Sequence, residues 1–185
     1  MKTWIIILIS SALCFAFTPI QTPIYVDLFE SPQIVEISAT LNKGKCNNKA
    51  FVAIDLPEDA KGWIYSVSAI SKKDLADPKK QLHQKVLELA DDHDSEHIVD
   101  FIYENQNISS GRKKSPAFNL YVLPGKENVE SFYNCGCYKY IEKHIRTKPR
   151  SGYLENKSGE TVYIGIESDR DLSNLRLQIE AVAIL

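Results

Sequence analysis

The residues with the sharpest chemical spacing are Cys135 and Cys137, separated only by Gly136. Two thiols one residue apart can take part in thiol–disulfide exchange or bind a soft metal. Lys139, Lys143 and His144 nearby would supply the positive potential that favours a thiolate. Cys46 is the other cysteine beyond the N-terminal apolar run. In an oxidising compartment one disulfide is expected, from Cys46 to Cys135 or to Cys137, with one thiol left over. A bond between Cys135 and Cys137 themselves would close a small, strained ring and would be redox-active. No second C-x-C or C-x-x-C completes a four-ligand zinc set, so structural use of the cysteines is the expectation.

A second cluster is acidic. Asp91, Asp92, His93, Asp94, Glu96 and His97 fall within seven residues, and the two histidines are four apart. On one continuous helix His93 and His97 would share a face and, with Asp94, could ligate zinc. Ser95 and the aspartate pair favour a break at that point, and the spacing is not that of an EF-hand loop. The expectation is a solvated acidic turn beside a helix N-terminus.

A third group is cationic: Lys139, Lys143, Arg146, Lys148 and Arg150, interleaved with Tyr138 and Tyr140. Such a stretch can contact a polyanion at a cell surface, or serve as an exposed connecting loop. Trp63 opens an alternating segment and is expected in the core, not on a sugar-stacking platform. Asn107 and Asn156 head sequons in polar segments, which matter only in a eukaryotic secretory pathway. There is no Gly-x-Ser-x-Gly, no His-Glu-x-x-His and no phosphate loop. Cys137 and His144 lack a third orienting group. No enzyme and no cofactor is expected.

These residues need a scaffold. Lys2 followed by the apolar run Trp4–Ile9 and Ala12–Ala16 has the shape of a secretory signal peptide, with cleavage expected after Ala16. Cys14 raises a lipoprotein alternative, against which the bulky Leu13 argues. Residues 17–185 are then of a size for a single domain. No later run is long enough for a transmembrane helix. A net charge of −2 gives no global basic field and argues against nucleic acid.

Period-two alternation marks strands at 24–29, 33–41, 50–54, 63–70 and 117–123. Val129–Tyr133 reads as a further strand, and 139–150 as irregular. Gly152–Leu185 reads as a closing hairpin, Val162–Ile166 and Leu175–Leu185 being joined by a polar turn. Between the strands the period changes. Asp77-Pro78 opens a helix with Leu82, Val86 and Leu89 on one face, and Ile98, Phe101 and Ile102 suggest a second. Residues 72–115 are therefore expected as a helical insertion without a core of its own. The fold class is all-β: an antiparallel, jelly-roll-like sandwich of about eight strands.

Three segments follow one order: Gly62-Trp63-Ile64-Tyr65-Ser66-Val67, Phe118-Asn119-Leu120-Tyr121-Val122 and Thr161-Val162-Tyr163-Ile164-Gly165-Ile166. Together they resemble the core strands of bacterial secreted jelly-roll modules of the pre-peptidase C-terminal type. This chain has Asn119 where those modules often carry aspartate. The resemblance implies a non-catalytic accessory or substrate-contacting module. The functional expectation is a secreted protein, monomeric or weakly associating, that binds an extracellular or cell-envelope ligand, a glycan or a protein. The alternatives are a thiol redox or metal-handling protein centred on Cys135 and Cys137, and a purely structural envelope protein.

Overall fold

The structure is a computed structural model and describes residues 23–37, 48–72, 80–90, 97–98, 100, 117–155, 161–168 and 175–185. Among the described residues nine strands form two antiparallel sheets packed face to face: β1 (Tyr25–Asp27), β2 (Gln33–Ile37), β3 (Lys49–Asp55), β4 (Gly62–Ala69), β5 (Phe118–Pro124), β6 (Glu142–Thr147), β7 (Arg150–Glu155), β8 (Thr161–Ser168) and β9 (Leu175–Ile184). Two helices accompany them, α1 (Leu82–Leu89) and α2 (Gly125–Tyr133).

In the first sheet β9 pairs with β4, which pairs with β7. The other flank of β9 is shared end to end by β1, opposite Val182–Ile184, and β2, opposite Leu175–Ile179. Pro32 falls between those two short strands, and proline cannot donate to a ladder, so the edge is interrupted there. The second sheet runs β3-β8-β5-β6. The pairings nest: β2 with β9, β3 with β8, β4 with β7, and β5 with β6. A long hairpin rolled into two sheets in this way is the winding of a jelly roll.

Alternation places one face of each sheet in a shared core. Trp63, Tyr65 and Val67 of β4 and Leu175, Leu177 and Ile179 of β9 meet Leu120 and Val122 of β5 and Ile164 and Ile166 of β8. Both outer faces are also partly covered. Leu82 and Val86 of α1, with Ile98, pack on Ile64, Val182 and Ile184. Val129 and Phe132 of α2 pack on Tyr121 and Leu123.

Three expectations are corrected. The closing segment is not a hairpin, because β8 and β9 lie in different sheets. Val129–Tyr133 is helical; Gly125 takes a φ of 69°, open to glycine at no steric cost, and turns the chain from β5 straight into α2. Val129 and Phe132, three apart, are the buried face of that helix. The stretch read as irregular contains β6, and β7 was not anticipated; the nine strands among the described residues agree with the expected count of about eight. The helix opening at Asp77-Pro78 lies outside the described residues. The first amides of α1 are met instead from the sheet: Glu180 Oε2 accepts from the backbone N–H of Gln81 at 2.8 Å and of Leu82 at 2.9 Å.

Candidate functional site at the outer face of β6

β6 is a terminal strand of its sheet and β7 of the other, and only Lys148-Pro149 separates them. The face of β6 is set by its alternation. Glu142 and His144 turn inward and are half-buried. The Tyr65 hydroxyl, from β4 in the opposite sheet, donates to Glu142 Oε2 at 2.9 Å. His144 Nε2 bonds to Glu142 Oε1. Burial and then the Glu142 carboxylate push the Tyr65 hydroxyl far above its ordinary value of 10.0, with Arg150 opposing part of the effect.

Ile141, Lys143 and Ile145, of the opposite parity, point outward. Ile141 is 51 % exposed and Ile145 52 %, and the preceding Tyr140 is 50 % exposed. The Lys143 ammonium lies 5.4 Å from the Tyr140 ring centroid and 5.8 Å from that of Tyr121, a cation–π arrangement that holds it over the outer face. Lys139, Arg146 and Lys148 are also exposed.

A bulge fixes the end of this face. Phe118 pairs with Thr147 but Leu120 with His144, so β6 carries one extra residue. Arg146 sits there at φ 50°, and its N–H donates to Asn119 Oδ1 at 2.9 Å. The other end of Asn119 donates to Glu167 at 2.9 Å. Asn119 therefore has a local task in securing the bulge.

The segment before β6 is anchored by Tyr138. It packs edge-on against Tyr121 (5.6 Å between centroids) and Phe132 (5.3 Å). Beneath it Lys49, its side chain only 5 % exposed, donates to the Phe132 carbonyl at 2.8 Å and lies 3.8 Å from Glu167. Tyr138 thus serves as an anchor of the expected surface set. Arg150 is half-buried and drawn toward Tyr65. Lys139, Lys143, Arg146 and Lys148 remain as the outward cations.

Cys135 is disulfide-bonded, with a partner outside the described residues, and Cys137 is a free, exposed thiol. With Cys137 free, Cys135 and Cys137 are not bonded to each other in this structure. Of the suggested zinc ligands, His97 is exposed, while His93 and Asp94 lie outside the described residues. Among the described residues no group of three or more His, Cys, Asp or Glu is placed to hold a metal ion. Asn107 and Asn156 also lie outside them. Trp63 is buried in the core against Tyr65.

The reading of residue types missed Ile141, Ile145, Tyr65 and Glu142. The signal was present in the alternation of Ile141, Lys143 and Ile145, which the density of charge disguised as loop. Comparison with protein-family models, with curated proteins and with solved structures finds no match.

Proposed function

We propose that this is a secreted, non-catalytic β-sandwich protein that binds a polyanionic ligand, an acidic glycan or protein, at a cell envelope or outside it. One observation carries the reading. Between residues 139 and 150 the single acid, Glu142, is turned inward to Tyr65 and His144, while Lys139, Lys143, Arg146 and Lys148 stay exposed. Within residues 139–150 the outward charges are therefore all positive, and such a stretch attracts anions over a Debye length. The apolar run behind Lys2 supports export, and the resemblance to secreted jelly-roll modules supports a non-catalytic role. The test is retention on an immobilised sulfated polysaccharide. The protein is expected to bind and to elute at clearly lower salt when Lys143→Glu and Lys148→Glu are combined. Absence of binding, or elution unchanged by the substitutions, overturns the reading.

A second reading is favoured by the free thiol two residues from a disulfide. In it the Cys137 thiolate attacks Cys135 Sγ, forming a Cys135–Cys137 bond and expelling the thiolate of the former partner, which we take to be Cys46. Peptide mapping of the native protein after incubation at neutral pH tests this. A Cys135–Cys137 peptide supports exchange, and an intact original bond beside a free Cys137 discards it.

A further inference from the structure

We infer that the outer face of β6 docks on the surface of an anionic lipid bilayer, with Tyr140, Ile141 and Ile145 entering the headgroup region and Lys139, Lys143 and Lys148 pairing with lipid phosphates. Such docking rests on the polyanion-binding reading of this face and takes the polyanion to be lipid in place of a glycan or protein. Charge complementarity alone would fit any polyanion. What separates a bilayer from a hydrated polysaccharide is the apolar content of the face. Three large apolar or amphipathic side chains, each about half exposed, stand among the cations of one strand and the two residues that lead into it.

Isoleucine side chains offer little to a sulfated sugar but gain on leaving water for the acyl boundary. Tyrosine, with an apolar body and a polar tip, suits the same depth. Lysine stems can lie along apolar surface while their ammonium groups stay with phosphates. A basic face with interspersed apolar residues is the composition of interfacial binding to anionic lipid.

The face is also rigid. The Tyr65–Glu142 hydrogen bond ties β6 to the opposite sheet, and Asn119 holds the bulge at Arg146. A bulge with a charged edge strand discourages addition of a partner strand, which favours a surface over an extended peptide. Of the acids on this side, Glu167 is engaged by Lys49, Asn119 and Tyr121. The other exposed aromatics on this side, Phe51 of β3 and Tyr133 of α2, pack edge-on against each other, and Phe51 likewise against Tyr163.

The experiment is co-sedimentation of the protein with vesicles of phosphatidylcholine alone and of phosphatidylcholine mixed with phosphatidylglycerol. Binding to the mixed vesicles is expected to exceed binding to the neutral ones by roughly tenfold or more and to fall with salt. The Ile141→Ser/Ile145→Ser variant is expected to lose roughly tenfold on mixed vesicles while keeping its retention on sulfated polysaccharide. The Lys143→Glu/Lys148→Glu variant is expected to lose both. Because all four side chains are exposed or flank the core, unchanged thermal unfolding serves as the folding control. Polysaccharide binding without vesicle binding, or vesicle binding indifferent to the isoleucines, overturns the lipid inference and leaves the polyanion reading standing. Loss of both by the unmodified protein removes the two together.

Discussion

The ring of Tyr65 lies directly over Gly152, its register partner across β4 and β7. A Cβ at position 152 would come within 2.4 Å of Tyr65 Cζ. The glycine is thus what lets the Tyr65 ring pass over β7 and carry its hydroxyl to Glu142 of the other sheet. Gly152→Ala is expected to destabilise the fold by about 1–3 kcal/mol, the usual cost of overpacking a tight interior. Denaturant unfolding checks the value. A stability equal to that of the unmodified protein would show that the ring moves aside freely and that the tie between the sheets is slack.

Glu180 is a buried carboxylate on the outer face of β9, answered by two backbone amides of the first turn of α1 and by Gln178 Nε2 at 2.8 Å. The helix has no capping side chain of its own at Gln81. Replacing Glu180 with alanine leaves those amides without their acceptor, and about 1–3 kcal/mol of stability is expected to be lost. Amide exchange at Gln81 and Leu82 should quicken in the variant. If exchange there is unaffected, the cap is not what holds the helix on the sheet.

The same strand shows why some of the fold was legible and some was not. Leu175, Leu177 and Ile179 alternate with Arg176, Gln178 and Glu180, so a strand with one core face could be read directly. Past Ala181 the outer positions become Val182 and Ile184, which are buried under α1 and Ile98. That switch from polar to apolar on one face announces a covering element, yet it does not say which one. Pairing is less legible still: β8 and β9 are adjacent in the chain and separated in space, because the partner of each strand is set by the winding of the whole hairpin. α2 was misread since Val129, Phe132 and Tyr133 favour strands by type, whereas spacing and the neighbouring Leu123 decide in favour of a helix. The candidate site was half legible. Its cations could be named from the chain, but the inward turn of Glu142 depends on Tyr65, 77 residues away.

Alkaline pH should expose two tyrosines in particular. Burial comes first for both Tyr65 and Tyr121 in raising the hydroxyl above its ordinary 10.0; Glu142 adds to it at Tyr65, and Tyr138 and Glu167 at Tyr121. Below that value the folded and unfolded chains both hold the proton, so these groups leave stability independent of pH. Above it the unfolded chain ionises first and binds fewer protons than the folded one, and stability falls as pH rises. Absorbance titration of phenolate is expected to show two tyrosines that ionise only as the protein unfolds. Smooth ionisation of every tyrosine in the folded state would refute the buried placement of these hydroxyls. Tyr65→Phe and Tyr121→Phe together should flatten the alkaline loss of stability.

Cys135 combines a disulfide with a backbone conformation that L residues seldom adopt, φ 58°. The reason lies in how α2 ends. Gly136 N–H donates to the Ser131 carbonyl at 2.7 Å and Cys135 N–H to that of Phe132 at 3.2 Å, the paired bonds of a Schellman stop with Cys135 at the left-handed position. Glycine is the usual occupant there, but Gly136 comes one residue later. Cys135→Ser and Cys135→Gly both remove the disulfide, so their difference isolates the backbone. The glycine variant is expected to be the more stable of the two by about 1 kcal/mol, the cost of holding a side chain in the left-handed region. Equal unfolding midpoints and slopes would mean that the helix ends differently once the disulfide is gone.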